Sequence, residues 1–596
     1  MLYNGRMRII RKLIPALFLF FVLTAFSANA DVLGQNQQFF INSQYDSESR
    51  NTVVATLRHI SDRAYFYVAD EYWNSTDANT RNWIISRVQA IGQEFDSRIY
   101  PLETQFFGSE PNPGVDGDPR VTFVLAPLLE NVGGYYDSAN QYVKRVSSNS
   151  NEREMIYLNV GEIGNPVRVL SFLAHEFQHL ISFNQKEKLR NAADDVWLNE
   201  LRSEYAVTLL GYNGDFNGSH LQRRSQAFLD EPHDSLTEWK NLRADYGQIG
   251  MLGQYLAEHW SPQVIAGTLK NNLAGVSSLN ESLARNGFTD NFLDVYRNWL
   301  IANILNGDSN VSKWGYIRDE LKKIQVVPTK IISNLGDEAI FALTDTIKDW
   351  QGRWYGVANF SAGRSDVLKI TFLSSSLTSF QIAYIVFKSD GSKDAHVFYP
   401  TPRSDAVYLT GINTDFGRVV VIPIKKDKFS GFTSNESPVK LTTVFERITS
   451  TSVSMPIINP PVAALDSESL SHTTDSPRLN LPDGSLIRAE NDYKVYIIQG
   501  KWRRHILSPE IFKFYAHLGF DKVKTIPRSV LDQYNESSLI RYASAERVYA
   551  VDQSGKRKWL NMSPQQFSAS GYNWDAVFSV NLRELQFYTL GPKITQ

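Results

Sequence analysis

The spacing of apolar residues changes along the chain and divides it into parts. In the first part, TVVATLRHI (52–60), AYFYVAD (64–70) and VTFVLAPLL (121–129) run or alternate in apolar, β-branched and aromatic residues, as strands do. The segment NTRNWIISRVQAIGQEFDSRIY (79–100) has an apolar residue every three to four positions, which predicts a helix. The mixture predicts a multidomain chain that begins with an α+β domain over residues 31–325.

Short β-rich runs replace the helical spacing between residues 326 and 448. Among them are DVLKITFL, FQIAYIVF and RVVVIPI, separated by turns such as SDGSKD. This pattern predicts a β-sandwich-like domain. Residues 449–480 are rich in Ser, Thr and Pro and lack periodicity, which is typical of a linker.

The last part, residues 481–596, repeats itself with a period of about 53 residues. SLIR at Ser485 returns at Ser538, and a Ser-Pro pair at Ser508 returns at Ser563. From residue 481 onward there are 16 Lys and Arg against 11 Asp and Glu, so this module is basic within a chain of net charge −2. Two functions are open: binding an anionic cell-surface polymer, or serving as compact spacer units.

The N-terminus and the composition limit the location and the chemistry. Arg and Lys residues precede the apolar run at 13–26, which ends in Ala28-Asn29-Ala30, so residues 1–30 are predicted to be a signal peptide. A retained membrane anchor is the alternative, but the run is short for a span of about 20 residues. We expect a secreted or cell-surface protein without a later membrane span. A net charge of −2 gives no indication of a nucleic-acid partner. The absence of cysteine excludes disulfides and thiol catalysis.

The segment FLAHEFQHLISF (172–183) carries the clearest chemical signal. Asn165 is a good N-cap, Pro166 suits the first helical position, and apolar residues recur behind them, which predicts a helix. Positions four apart lie about 40° apart around a helix axis, so His175 and His179 can bind one metal ion. Glu176 then lies on a neighbouring face, where its carboxylate can reach a metal-bound water.

A second predicted helix, DDVWLNELRSEYAVTLLGY (194–212), supplies the residues that a zinc site still needs. Asp194 or Asp195 can cap it, and Glu200 and Glu204 are again four apart. Catalytic zinc uses three protein ligands and one open position, so Glu200 is the candidate third ligand. Glu204 is the candidate to accept the other N–H of a zinc-bound histidine.

H-E-x-x-H followed at this distance by E-x-x-x-E resembles the gluzincin, or thermolysin-like, zinc metallopeptidases. AHEFQHLI and WLNELRSEYA are similar in particular to the hyicolysin-type peptidases. The resemblance implies a zincin-like catalytic domain, one zinc ion held by His175, His179 and Glu200, Glu176 as general base and Glu204 behind a ligand. The chain departs from the family pattern at positions 201 and 202, where Leu and Arg replace Gly and an apolar residue.

The resemblance also implies a donor to the developing oxyanion and a strand at the cleft rim that pairs with substrate. Tyr246 is the favoured donor, against the alternative of a core tyrosine, and His233 is the second candidate. Met155–Val160 is the candidate rim strand. Asp116 and Asp118 form a D-x-D pair that could bind calcium, although a plain turn has the same pattern.

Together these features predict a secreted zinc-dependent endopeptidase that acts on peptide or protein substrates. The alternative is a catalytically inert surface-binding or adhesion protein on the same scaffold, and the retention of Glu176 beside the ligands argues against it.

Overall fold

The structure, a computed structural model, is multidomain, with helices and several separate sheets. It describes residues 30–594 except for 308–312, 375–379, 402, 451–480, 482, 490–493, 516–517, 520–521, 527, 532–533, 543–546 and 553–554. The predicted signal peptide up to residue 29 and nearly all of the predicted linker lie outside the described residues. No helix within the described part is long and apolar enough to cross a membrane.

The N-terminal unit is built on a six-stranded sheet. Its strands are β1 (Asn36–Phe40), β2 (Thr52–Ile60), β3 (Ala64–Ala69), β4 (Val121–Ala126), β5 (Gly134–Tyr136) and β6 (Met155–Asn159). Their order across the sheet is β1-β2-β3-β4-β6-β5, with β3, β4 and β6 parallel and β5 antiparallel at one edge.

Ten α-helices belong to the described part of this unit. They are α1 (Asp70–Ser75), α2 (Ala78–Glu94), α3 (Tyr100–Phe107), α4 (Pro166–Ser182), α5 (Val196–Leu209), α6 (His220–Asp230), α7 (Arg243–His259), α8 (Pro262–Gly267), α9 (Gly275–Arg285) and α10 (Phe292–Leu305). A π-helical turn, Phe95–Ile99, joins α2 to α3. The helix predicted at 79–100 therefore covers nearly all of α2, this turn and the first residue of α3.

Helix α4 forms where its sequence pattern predicts it. The Asn165 side chain accepts a hydrogen bond from the N–H of Arg168, and Pro166 occupies the first turn. The stripe that includes Val169, Leu173 and Phe177 is buried in the main core, which fixes the opposite face toward α5 and β5.

The prediction that Met155–Val160 forms the rim of the cleft was wrong. β6 pairs with β4 on one side and β5 on the other, and all five of its residues are buried. The edge strand on this side of the sheet is β5, three residues that follow Gly133, and β1 forms the opposite edge. A side chain at Gly133 would lie 2.0 Å from the ring of Phe172, so only glycine lets β5 approach α4 this closely.

The second unit consists of two sheets. Its strands are β7 (Lys330–Ser333), β8 (Ile340–Ile347), β9 (Tyr355–Ala358), β10 (Val367–Ser374), β11 (Phe380–Lys388), β12 (Lys393–Phe398), β13 (Ser404–Thr410), β14 (Phe416–Lys425) and β15 (Val439–Ile448). The orders are β13-β10-β15-β8 and β12-β11-β14-β9-β7, and residues of both sheets form one core between them.

The five-stranded sheet of this unit is buried on both faces. In β11, Ile382 and Tyr384 belong to the core between the two sheets, whereas Ala383 and Ile385 belong to the core of the N-terminal unit. Helix α10 packs against the second face. Two-sided burial explains why β11 and β14 are unbroken apolar runs rather than alternating ones, and it joins the first two units through a continuous core.

The C-terminal part contains two five-stranded sheets. The first comprises β16 (Leu486–Ala489), β17 (Tyr496–Gln499), β18 (Trp502–His505), β19 (Lys524–Ile526) and β20 (Asn535–Ser537); the second comprises β21 (Leu539–Tyr542), β22 (Val548–Val551), β23 (Lys556–Trp559), β24 (Val577–Val580) and β25 (Thr589–Leu590). The helices are α11 (Arg528–Leu531), α12 (Pro564–Ala569) and α13 (Leu582–Phe587). The strand orders, β19-β16-β17-β18-β20 and β24-β21-β22-β23-β25, correspond position by position.

Several arginines of this basic module have internal partners. Arg503 of the first sheet donates to the carbonyl of Leu531, and Arg557 of the second sheet donates to the carbonyl of Leu585. Arg504 is buried and pairs with Glu584 of α13 at 2.7 Å, which links the first sheet to the helix of the second repeat. The positive charge of these side chains therefore serves packing, and binding of an anionic polymer stays a prediction.

Candidate metal centre

Two helices present the predicted ligands to one point. His175 and His179 project from α4, and Glu200 projects from α5, which packs beside it. His175 Nε2 lies 3.1 Å from Glu200 Oε2 and 3.2 Å from His179 Nε2, and His179 Nε2 lies 3.5 Å from the same carboxylate oxygen. The four-residue spacing on α4 and the packing of α5 beside it bring these three side chains together.

The three atoms fit a zinc ion. Ligands about 2.0–2.1 Å from zinc in a tetrahedral site lie roughly 3.3–3.4 Å from one another, and the three observed separations bracket that value. Two imidazole nitrogens and one carboxylate oxygen are also a donor set of catalytic zinc. The residues present therefore suit the ion.

The charges of the ligands are strongly coupled. Burial opposes ionisation of Glu200, but the rings of His179 and His175 outweigh it and lower the pKa of Glu200 to about 2. Burial also opposes protonation of His175, yet the carboxylates of Glu200 and its neighbours raise the pKa of His175 to about 9. The pocket thus strongly favours positive charge at the point where the ligand atoms meet.

A second group of metal-binding side chains lies behind the first: His175, Glu204 and His220. Arg224 donates to both oxygens of Glu204, at 2.8 and 2.7 Å, and His220 Nε2 lies 2.7 Å from one of them. A separation of 2.7 Å is a hydrogen-bond length and is too short for two ligands of one tetrahedral ion. This group is a hydrogen-bonded support for the first.

Glu204 is held ionised in that support. Burial raises its pKa, but Arg224 and His220 outweigh burial and hold the pKa of Glu204 well below its usual range. Its Oε1 lies 3.4 Å from His175 Nδ1. The carboxylate therefore faces the ring nitrogen that does not point at the ligand centre, as the sequence predicts for it.

His220 is a site residue that the sequence did not reveal. It follows the N-cap of α6 and has no metal-ligating partner at ligand spacing, yet it is buried and reaches Glu204. Burial lowers the pKa of His220 to about 4, so the ring is neutral and donates to Glu204 through Nε2. Only the packing of α6 against α7, which itself packs against α5, could reveal this role.

Glu176 projects from α4 toward the edge strand β5. Its side chain lines the cleft, and the backbone N–H of Tyr136 lies close enough to favour the ionised carboxylate. Burial raises the pKa of Glu176, and the rings of His175 and His179 oppose that effect. A carboxylate with a raised pKa is a better proton acceptor, which suits a general base.

The ligands open onto a cleft of about 900 Å³. Tyr246 lines it, with its ring centroid 6.5 Å from that of His175, and its hydroxyl donates to Asn241 at 2.9 Å. Burial raises the pKa of Tyr246 well above its ordinary value, so the hydroxyl keeps its proton. His233 is not among the residues that line the cleft; it contacts Thr329 and Trp354 instead, so its candidacy as the oxyanion donor was wrong.

The start of α5 differs from the prediction that an aspartate side chain caps it. Asp195 occupies the N-cap position, but its carboxylate accepts from the N–H groups of Gly431 and Phe432 in the second unit, at 2.7 and 3.0 Å. Asp194 pairs with Arg202 at 2.8 Å. Arg202, which departs from the family pattern, is fully buried and makes this ion pair at the cleft wall.

The predicted calcium pair has ordinary turn contacts. Asp116 accepts from the N–H of Asp118, and Asp118 accepts from the hydroxyl of Tyr65 and from the N–H of Arg120. Neither residue belongs to the two groups of metal-binding side chains found in the described part of the chain. The plain turn explains the D-x-D pattern.

Comparisons with known proteins give one informative match. A curated protein, the neutral metalloprotease ShpI of Staphylococcus hyicus, is 32% identical over 163 residues, which cover 25% of this chain and 34% of that protein. The chain thus spans about a third of the length of this relative. No family model matches the chain.

Two solved structures resemble parts of the chain weakly. One is a Yersinia pseudotuberculosis-derived mitogen, with 9% identity, 19% of this chain and 88% of that chain covered, and a TM-score of 0.14. The other is a glycoside hydrolase family 43 arabinoxylan arabinofuranohydrolase from Bacillus subtilis, with 15% identity, 21% and 30% covered, and a TM-score of 0.13. Their scores are too low to carry an argument about function, and the sequence match alone supports a metalloprotease relationship.

Proposed function

We propose that this chain is a secreted, zinc-dependent endopeptidase of the gluzincin type, resembling the hyicolysin-type peptidases. The convergence of His175, His179 and Glu200 within 3.1–3.5 Å of one another is the observation that carries the proposal. The metalloprotease relative supports the same class of chemistry.

In this proposal His175, His179 and Glu200 hold one zinc ion. Zinc bound there supplies a Lewis acid for the peptide carbonyl and lowers the pKa of a bound water. Oε1 of Glu204 lies 3.4 Å from Nδ1 of His175, and shortening of this contact to a hydrogen bond would fix the ring that serves as ligand. Arg224 and His220 keep Glu204 charged and in place.

Glu176 is the proposed general base. Its carboxylate takes a proton from the attacking water and returns it to the nitrogen of the leaving amine. Burial and the backbone N–H of Tyr136 hold the group at the cleft wall in one position. Tyr246 keeps its hydroxyl proton and is the proposed donor to the oxygen on which negative charge develops.

The free edge of β5 is the proposed substrate-binding strand. Its backbone groups lie beside Glu176 and His179, where an extended peptide can add to the sheet. Pairing of this kind supplies affinity for any peptide backbone, and the side chains around the cleft then select among sequences.

The test is the Glu176→Gln variant of the mature chain beginning at Asp31, with Glu320→Gln as the matched control. Glu320 is a surface carboxylate that does not line the cleft. We expect the wild type and both variants to bind one zinc ion, and only Glu176→Gln to lose casein hydrolysis, by about 100-fold or more.

Three results would count against the proposal. A wild-type chain without zinc would reject the ligand assignment. A wild-type chain that binds zinc without cleaving casein or short peptides would favour an inert binding protein. Full activity in the Glu176→Gln variant would reject its role as base.

A further inference from the structure

The packing of β5 on α4 distinguishes the two ends of the cleft. Gly133 lies against Phe172, Gly134 lies near Glu176, and the ring of Tyr136 lies 6.4 Å from that of His179. Strand β5 and helix α4 therefore run in the same direction along the cleft. One end of the cleft corresponds to the start of α4, and the other corresponds to its end.

This direction orients a bound peptide, given the proposed function. Antiparallel pairing is the more common and slightly more stable arrangement, and β5 itself pairs antiparallel with β6. A peptide antiparallel to β5 has its N-terminal part near the end of α4. Its residues on the C-terminal side of the scissile bond extend toward the start of α4.

Three guanidinium groups line the cleft, Arg168 in the first turn of α4 and Arg223 and Arg224 from α6, and the charge of Arg168 acts on Arg223. Arg168 is paired through two hydrogen bonds with Glu162, and Arg224 is paired in the same way with Glu204. Arg223 lines the cleft and is only partly exposed, and no carboxylate of the described residues lies within ion-pair distance of it. Three positive charges thus share two carboxylates.

The hydrogen bonds of Arg223 involve no carboxylate, and Glu204 and Glu162 act on its charge only from beyond ion-pair distance. One terminal nitrogen donates to the carbonyl of Gly218 at 3.0 Å, and the other lies 3.5 Å from Nδ1 of the neutral His220. Burial, followed by the charges of Arg168 and Arg224, lowers the pKa of Arg223. An anion in the cleft would remove this unfavourable environment, and guanidinium binds a carboxylate with two donors.

The other end of the cleft has an excess of negative charge. Three carboxylates line it, those of Asp137, Glu187 and Asp194, against the two cations Lys186 and Arg202. Both cations lie within 4.0 Å of Asp194, and neither Glu187 nor Asp137 has a Lys or Arg within ion-pair distance among the described residues. Burial raises the pKa of Glu187, as expected for a carboxylate without a cation. The cleft is thus polarised along the direction of the peptide.

We propose that Arg223 binds a carboxylate on the C-terminal side of the scissile bond and thereby selects substrates. The carboxylate is an Asp or Glu side chain, or the free C-terminus of a short peptide. Arg223 acts on specificity through this contact and takes no part in proton transfer. The inference rests on the proposed peptidase function and names its substrate class.

The experiment compares kcat/KM for matched fluorogenic peptides. One series carries Glu or Gln at each of the three positions that follow the scissile bond, and a second series has the same sequence with a free or an amidated C-terminus. We expect Glu to exceed Gln by about 10- to 100-fold at one of these positions, as a charge-assisted hydrogen bond supplies. The Arg223→Gln variant should reduce the ratio to about 1, and Arg223→Lys should keep part of it.

Arg168→Gln is the matched control, because Glu162 already neutralises Arg168, and this variant should keep the preference for Glu within about twofold. An Arg223→Gln variant that keeps the wild-type ratio would overturn the proposal, as would a wild type that does not discriminate Glu from Gln or prefers acidic residues before the scissile bond. A preference only for the free C-terminus would support the contact and assign it to the terminal carboxylate. If the wild type cleaves no peptide of any series, the proposed function itself fails.

Discussion

Replacing Trp350 by Ala tests whether the first two units form one cooperative structure. The Trp350 side chain is fully buried between them, with its ring 5.1 Å from Phe292 and 5.4 Å from Tyr296 of α10. Its indole N–H donates to the carbonyl of Lys428 in the second unit.

The expected cost follows from what the substitution removes. Truncating a buried Trp to Ala costs about 3–5 kcal/mol, and leaving the Lys428 carbonyl without its donor adds about 1 kcal/mol. The total, about 4–6 kcal/mol, is a large part of the roughly 5–15 kcal/mol that stabilises a typical domain. We therefore expect both units of the variant to unfold at a much lower urea concentration.

The assay follows urea unfolding with two probes, the fluorescence of a dye on a single cysteine introduced at the exposed Ser404 for the β-rich unit and residual peptide hydrolysis for the N-terminal unit. The two curves should coincide and shift together in Trp350→Ala. Trp83→Ala, which truncates a partly exposed Trp of α2, should cost less than about 1 kcal/mol. If hydrolysis in Trp350→Ala persists after the β-rich unit has unfolded, the continuous core does not couple the two units.

Two further predictions concern buried carboxylates. Glu204→Gln should weaken zinc binding by about 10- to 100-fold in a chelator competition, because the support of His175 loses its charge, while Glu320→Gln should not; unchanged affinity would reject that role. Glu103 is fully buried with no hydrogen-bond partner for either oxygen, and burial raises its pKa well above the ordinary value. Folding therefore takes up a proton, so stability falls as pH rises from the ordinary carboxyl pKa toward the folded pKa. Glu103→Met should raise the free energy of unfolding by about 1–3 kcal/mol at pH 8 and by less at pH 4, measured by urea unfolding at both values; an equal change at both would contradict the argument.

Local periodicity was enough to locate the elements that carry the ligands. The strand TVVATLRHI coincides with β2, and the cap and apolar stripe of α4 form as their spacing predicts. Helical spacing also places Glu200 and Glu204 on one face of α5. These features depend on residues that are close in the sequence, within one strand or within one or two helical turns. Patterns of apolar spacing report on contacts over that range.

The features that sequence reasoning missed depend on contacts between distant segments. His220 follows Glu204 by 16 residues, and only the packing of α6 brings the two together. The edge strand β5 has three residues, of which Gly134 is the first, and Gly133 precedes it, so it is too short to show an alternating pattern. The buried β6 has the stronger strand pattern. The unbroken apolar run of β11 was consistent with a sandwich and also with burial on both faces, and length and composition do not separate these.

The boundary predicted near residue 325 separates two patterns of periodicity, and the contacts across it argue against two independent parts. Asp195 begins the helix that carries Glu200, and its carboxylate binds the backbone of Gly431 and Phe432 in the second unit. Trp239, which contacts Tyr246 in the cleft, donates from its backbone to the carbonyl of Thr433. The β-rich unit thus holds both the start of the helix that carries Glu200 and the wall of the cleft. We therefore expect unfolding of the β-rich unit to displace Glu200 and Tyr246 as well.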